Sequence, residues 1–436
     1  DEIREEVRTM TEGTRLKPLN QNTKIIIDGD TELRTHKILG IGTFSTVTRV
    51  TIDNDQQQQQ HQDEPTNESR GEVVVDRRRR FGLRRPTRYY ACKSVKKSIV
   101  EMGENAVLVG CREDNSMYRR EYVNAIAQIA NEIHVLSSFD HPNIIKIRGS
   151  YCNERSVVSA SASGSASSAS SLGSFLLTDV LQETLDQRIE RWKRNSDNLG
   201  NSSNQSIGNN SNHSETSTVF SSSSTTSSQS HQHQMNTDKF DICLQLASAL
   251  EYVHSRNVIY RDLKSSNVGF AADGTTLQLF DFGLCVELTP TRPVADGIIG
   301  TLRYMAPEVC LNQQYGLEAD IYSFGIVAWE IWTNNLPYEE LTPDLYRDWV
   351  CIHGYRPPDH DRDYNRNIPE QQQQQPQQSS SSGNSPSSLH DKVTHLLSQT
   401  WKQIPSTRIS WTQIQNQFEL FQQLEELRLE ECELLC

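Results

Sequence analysis

The stretch Ile259-Tyr-Arg-Asp-Leu-Lys-Ser-Ser-Asn267 constrains the fold of this chain more than any other. It follows a run with apolar residues at helical spacing: Phe240, Cys243, Leu244, Ala247, Leu250 and Val253. Arg256-Asn257 ends that run. A short polar loop then concentrates an acid (Asp262), a base (Lys264) and an amide (Asn267) between apolar anchors, Val258-Ile259 and Val268. Asp262 offers a proton acceptor, and Asn267 a carbonyl oxygen for a hard cation. Fourteen residues past Asn267 comes Asp281-Phe-Gly283, behind the alternating run Leu277-Gln-Leu-Phe280.

Composition narrows what surrounds this loop. Hydrophobic residues make up 35% of the 436, and the net charge is −13. Gln- and Ser-rich tracts account for much of the apolar deficit, so the folded part is smaller than the chain. The acidic balance argues against a nucleic-acid binder. No apolar run is long enough to span a bilayer. The nine cysteines lack paired metal-ligand spacing, which reads as reduced thiols of cytosol or nucleus.

These residues resemble the eukaryotic protein kinases, with Tyr260 where most members carry His. The loop resembles their catalytic loop and Asp281-Phe-Gly their metal-binding motif. The resemblance runs from about Leu33 to the C-terminal helix. It implies an α+β, bilobal protein kinase fold: a small antiparallel β-sheet lobe with one helix, and a larger, mainly helical lobe. On this reading residues 1–30 are a weakly ordered leader. Residues 31–436 are the kinase domain, with a small lobe near 31–178 and a large lobe near 182–436. Inserts fall near 53–88, 98–117, 155–173, 193–236 and 361–388, where surface loops are expected. Insertions there cost little, because closure entropy grows logarithmically with loop length.

The same resemblance assigns roles. Gly40, Ile41, Gly42, Thr43, Phe44, Ser45 and Val47 form a glycine turn over the nucleotide, with Ser45 replacing the third glycine of the pattern. Taken alone, this turn is weak evidence and reads more simply as a β-hairpin. Ala91 and Lys93 lie on a strand, Lys93 reaching the α- and β-phosphates. Glu132, beside the stripe Tyr122, Ile126, Ile129, Ile133 and Leu136, fixes Lys93; the plainer reading is an exposed helix charge. Thr178 is a small gatekeeper, and Asp179 to Leu181 meet adenine through backbone. Asp262 orients the acceptor hydroxyl, and Lys264 steadies the γ-phosphoryl. Asn267 and Asp281 hold Mg²⁺. Tyr260 and Phe282 stack in an apolar spine. Gly269 stands where a bulky apolar residue usually lies under adenine. That predicts looser nucleotide packing, tightened by Gly269→Leu.

Thr289, Thr291, Thr301 and Glu308 belong to the activation segment. Thr289 or Thr291 is the expected phosphorylation site, with Arg261 as the phosphate partner. Asp320 supports the loop backbone, and Arg408 pairs with Glu308. Lys264 and Thr301 match the Ser/Thr-specific pattern, and the loop as a whole matches the tyrosine-kinase-like group. The implied activity is ATP- and Mg²⁺-dependent phosphorylation of protein substrates. The alternatives are a pseudokinase scaffold that binds partners through its inserts, and a kinase of dual or tyrosine specificity. Two features have plainer readings: the run Asp76 to Pro86, rich in Arg, as a solvated loop rather than an import patch, and His231-Gln-His233 as low complexity rather than a metal site.

Overall fold

The computed structural model describes residues 32–53, 88–100, 115–151, 174–204, 223–358 and 388–435, together with Leu16. The inserts near 53–88, 155–173 and 361–388 lie almost wholly outside the described residues. So does the leader, except that Leu16 is buried. The chain clusters into two compact units.

The first unit takes residues 19–137 and 146–180, with 1–9. Its sheet has the order β1-β2-β3-β5-β4, all antiparallel. The strands are β1 (Glu32–Ile41), β2 (Ser45–Asp53), β3 (Tyr90–Val95), β4 (Ile147–Tyr151) and β5 (Phe175–Asp179). Alternation puts Leu33, Val50, Tyr90, Cys92, Phe175 and Leu177 on one face, where they form a core with Ile52 and Tyr151. Burial pushes the Cys92 thiol up to about 12, so it is packing rather than a nucleophile. Helix α1 (Asn115–Ser137) packs on β3 and β4. It begins inside the stretch that the sequence reading gives to the insert near 98–117.

The second unit takes residues 10–18, 138–145 and 181–436. Residues 138–145, assigned by sequence to the small lobe, belong here. Asn143 Nδ2 donates to Gln245 Oε1 at 2.7 Å and to the Leu277 carbonyl at 3.1 Å. Ile145 N–H donates to the Leu279 carbonyl at 3.0 Å. Helix α2 (Leu185–Asn204) and helix α3 (Ser223–Ser255) both enter the stretch read as an insert near 193–236. Residues 193–204 and 223–239 contain no proline and only one glycine, Gly200. Extending a helix from an already packed end avoids the costly nucleation step.

Small strands frame the polar loop. β6 (Glu183–Thr184), β8 (Val268–Phe270) and β9 (Leu277–Leu279) form one sheet, and β7 (Val258–Ile259) pairs with β10 (Val286–Glu287). The short helix α4 (Pro307–Cys310) precedes α5 (Glu318–Thr333), which is buried from Ala319 to Ile331. Asn334 caps α5 in the left-handed region, φ 58°. Helix α6 (Leu389–Thr400) starts with a capping box between Ser388 and Asp391. A Cβ on Gly325 would lie 1.9 Å from Thr400 Oγ1, so only glycine lets α5 and α6 approach this closely. Helix α7 (Trp411–Leu435) packs along α3.

Candidate active site

In the first unit, β3 and α1 bring Lys93 and Glu132 together. Lys93 Nζ lies 2.6 Å from Glu132 Oε2, and the Glu132 side chain is 3% exposed. Glu132 is therefore not the exposed helix charge of the plainer reading. The glycine turn is closed by Gly42 N–H donating to the Ser45 carbonyl at 2.9 Å. Gly40 has open space around it, and Thr43 is exposed. Ile38, Leu39 and Ile41 are exposed apolar residues beside the turn. The Phe44 carbonyl accepts from Lys96 N–H, and Val47 sits opposite Lys93 in the sheet. Ala91 is opposite Thr178, and both are buried. Asp179 is gripped by Arg148, whose Nε lies 3.0 Å from each carboxylate oxygen, and Arg88 approaches at 3.5 Å. Sequence reasoning gave Asp179 only a backbone role and missed this pairing.

In the second unit, the loop turns on Asp262, which is 6% exposed. Lys264 Nζ donates to its Oδ2 at 2.7 Å, Thr301 Oγ1 to Oδ1 at 2.6 Å, and Asn267 Nδ2 to Oδ2 at 3.1 Å. A carboxylate has about four lone-pair sites, and three are taken. One site on Oδ1 is left. Asn267 Nδ2 also donates to the Asp262 carbonyl at 2.9 Å, so the amide oxygen takes no part in these two bonds. The Asn267 carbonyl accepts from Phe280 N–H at 3.1 Å, tying the loop to the residue before Asp281. Asp281 has φ 66°, a left-handed conformation uncommon for a residue with a side chain.

Asp320, at the start of α5, holds the loop backbone. Its Oδ2 accepts from Tyr260 N–H at 2.7 Å and its Oδ1 from Arg261 N–H at 2.9 Å. His254 Nε2 lies 2.9 Å from Oδ2, and Trp411 Nε1 donates to His254 Nδ1 at 2.8 Å. The indole fixes the tautomer, leaving Nε2 to carry the proton toward Asp320. Sequence reasoning missed His254 and Trp411; the one local signal was a histidine in the last helical turn before the loop. Tyr260 packs edge-on to Phe282 at 5.1 Å, and its hydroxyl donates to the Phe280 carbonyl. Phe282 also meets Phe139 at 5.7 Å.

The segment that carries Thr289, Thr291 and Thr301 passes close by. A Cβ on Gly300 (φ 119°) would lie 2.4 Å from the Arg261 carbonyl, so this approach requires glycine. Thr289 is buried in a tight turn, its hydroxyl 3.0 Å from that of Thr291, which is exposed. Arg261 Nε donates to the Leu284 carbonyl at 2.5 Å. Glu308 and Arg408 form a buried two-pronged pair, at 2.6 and 2.8 Å. Ser265 and Tyr304 both donate to Glu330 at 2.9 Å, a buried cluster that sequence reasoning also missed.

Gly269 corrects an expectation. The space under it is not open: a Cβ there would lie 2.6 Å from Leu181 Cδ1 and 3.3 Å from Phe280 Cε1. Gly269→Leu alone would collide rather than tighten the fit. His233, of the His231-Gln-His233 run, lies on α3 with its Nδ1 3.7 Å from Glu425 Oε2. Among the described residues no three His, Cys, Asp or Glu side chains form a metal cluster, and no helix is long and apolar enough to cross a membrane.

The family model for the protein kinase domain matches residues 220–418, so Lys93 and Glu132 lie outside that match. The chain is 32% identical over 173 residues to the serine/threonine/tyrosine-protein kinase HT1 of Arabidopsis thaliana, covering 40% of this chain and 37% of that protein. It is 41% identical over 102 residues to the serine/threonine-protein kinase pak-1 of Caenorhabditis elegans, covering 23% and 18%. It is 31% identical over 173 residues to the serine/threonine-protein kinase STY17 of Arabidopsis thaliana, covering 40% and 25%. It thus spans between 18% and 37% of the length of these curated relatives. The loop around Asp262, the Asp281-Phe-Gly segment and the Glu308–Arg408 lock all fall inside the family match, so residues 220–418 are similar to a protein kinase domain.

Proposed function

We propose that this chain transfers the γ-phosphoryl group of ATP to Ser/Thr hydroxyls of protein substrates. The observation that carries the reading is the Asp262 carboxylate, held by Lys264, Asn267 and Thr301 with one acceptor site open. Phosphoryl transfer demands positioning and charge neutralisation more than covalent work. On this reading Asp262 Oδ1 receives the hydroxyl proton as transfer proceeds. Lys264 steadies phosphoryl oxygens, and Lys93, oriented by Glu132, takes the α- and β-phosphates. Thr178 and residues 179–181 accompany the base.

Mg²⁺ suits the donor set. Asp281 supplies a carboxylate and Asn267 an amide oxygen, and hard oxygen ligands are what this ion prefers. When bound it neutralises charge on the phosphates. Two protein ligands fit an ion that keeps several waters.

Thr301 on Asp262 favours Ser/Thr specificity. Of the two activation-segment hydroxyls, Thr291 is exposed and Thr289 buried, so we assign regulatory phosphorylation to Thr291. Five described cysteines are buried thiols, in keeping with a reducing setting in cytosol or nucleus. The test is a peptide array with wild-type protein and Asp262→Asn, followed by phosphoamino-acid analysis. Transfer to Ser/Thr, reduced roughly 10²-fold or more in the variant, is expected. Nucleotide binding without transfer, indifferent to Asp262→Asn, would mark a scaffold. Phosphotyrosine as the main product would mark the other specificity, the one that the name of HT1 includes.

A further inference from the structure

Helix α7 carries two apolar stripes. Trp411, Ile414, Phe418 and Phe421 make the first and are buried. Glu425 continues their spacing, also buried, with Asn236 Nδ2 donating to its Oε2 at 3.2 Å. The second stripe is not covered. Leu420 is 44% exposed, Leu427 56%, and Leu424 between them is half-buried. At about 100° per residue these three lie within roughly 60° of one another, and about 130° around the helix from the first stripe. Leucines four and three residues apart make one heptad of a seam, about 10 Å long. A single exposed leucine is ordinary, but these three are in register. Among the described residues, no other helix longer than two turns carries a large apolar side chain this exposed. The seam has an acidic flank: Glu419, Glu426 and Glu430 are exposed on one side of it. Arg428 is the one basic residue of the helix. It lies on the other side and turns toward Glu425, its Nη1 3.6 Å from Oε1.

We infer that the outer face of α7 docks a basic amphipathic helix of another protein. Its leucine-type residues lie against Leu420, Leu424 and Leu427, and its lysines or arginines meet Glu419, Glu426 and Glu430. The spacing selects a helix, because ridges four and three residues apart fit another helix, whereas a strand repeats every two residues. The charge selects a basic one. A second copy of α7 would set glutamates against glutamates, and an anionic lipid surface would be repelled by the same three side chains. The face contains none of the residues assigned to phosphoryl transfer, so the inference does not depend on that reading.

The probe is a synthetic helix of about three heptads, with leucine at the seam positions and lysine beside them. Its counterpart carries glutamate in place of lysine. Fluorescence anisotropy measures the binding of both to the full chain, as wild type, Leu420→Gln/Leu427→Gln and Glu426→Lys/Glu430→Lys. Both variants change exposed positions only, so thermal unfolding should stay as in the wild type. The lysine peptide should bind the wild type, and at least about tenfold more weakly the leucine variant. The charge-reversed variant should lose affinity for the lysine peptide and gain it for the glutamate peptide. Raising the salt should weaken the wild-type complex. Binding that survives intact in Leu420→Gln/Leu427→Gln would reduce the effect to the general attraction of an acidic protein, and would overturn the inference. So would failure of the lysine peptide to bind, or equal binding of both peptides by the wild type. Two further results would assign the face to a different occupant and overturn it as well. One is a wild-type dimer in sedimentation that the leucine variant dissolves; the other is binding to phosphatidylserine vesicles that the same variant abolishes.

Discussion

The chain Trp411–His254–Asp320 invites a graded perturbation. Asp320 is 1% exposed and takes three donors: Tyr260 N–H, Arg261 N–H and His254 Nε2. Arg261 is itself held at φ 71°, a conformation that survives only when its surroundings enforce it. Asp320→Asn replaces one acceptor oxygen by an NH₂ group that faces donors. Leaving a buried donor unsatisfied costs about 1–3 kcal/mol, and losing a charge-assisted bond about 1.5–3 more, so a loss of roughly 3–5 kcal/mol is expected. His254→Ala strands the Trp411 indole N–H and removes one donor from Asp320, about 2–3 kcal/mol. Trp411→Phe deletes one N–H and leaves His254 Nδ1 unpaired, about 1–2 kcal/mol. Thermal unfolding should rank the three in that order. At roughly 2–4 °C per kcal/mol for a body of this size, Asp320→Asn should lower Tm by about 6–20 °C. Because the disturbance ends at the loop that carries Asp262, kcat should fall more than KM for ATP, by roughly 10²-fold in Asp320→Asn. A kcat within twofold of wild type in Asp320→Asn, or a larger stability loss in Trp411→Phe than in Asp320→Asn, would refute the reasoning.

Burial raises the carboxyl of Glu330 from 4.5 to about 7, against the opposing pull of its Ser265 and Tyr304 donors. Its stabilising share is complete below pH 4.5 and is lost as pH rises through 7, an effect of about 3 kcal/mol. Chemical denaturation at pH 5 and pH 8 should therefore show the wild type losing stability relative to Glu330→Gln. Glu308→Gln strands the buried Arg408 guanidinium and should cost about 3–5 kcal/mol in urea unfolding; Glu308→Asp, too short to keep both prongs, should recover only part of it. Gly300→Ala places a methyl group 2.4 Å from the Arg261 carbonyl. It should cut peptide phosphorylation at least about tenfold by displacing the segment that carries Thr301, with ADP binding by titration as the control.

Much of the site was readable because its polar residues come in a fixed order with apolar anchors beside them. The loop from Ile259 to Asn267, the alternating run before Asp281 and the stripe of α1 are all local patterns, and local patterns are what a sequence displays. What stayed hidden depends on residues far apart in the chain. Trp411 and His254 look like ordinary members of amphipathic helices until the fold brings them together across 157 positions. Thr400 gives no sign that Gly325 must stay bare for it. Leu181 gives none that it fills the space of Gly269, which is why an open floor was expected there. The ends of α2 and α3 were misplaced for a different reason. Polar tracts rich in Ser and Asn show no apolar period and are poor evidence for a helix, yet they extend one readily when packing already holds its other end.

Helix α5 explains why the loop can be both polar and fixed. Asp320 and Glu330 lie ten residues apart on it, roughly 15 Å along a single rigid axis. The first carboxylate takes the amides of Tyr260 and Arg261, at the beginning of the loop; the second takes the hydroxyl of Ser265, near its end. Between these anchors lie Asp262 and Lys264, whose side chains meet Thr301 rather than α5. An apolar helix can carry two buried carboxylates only if each is matched by donors, and here the loop supplies most of those donors. The cost of burying acids in α5 is thus offset by the groups whose positions the proposed phosphoryl transfer requires. Loosening either anchor should therefore cost stability and catalytic geometry together.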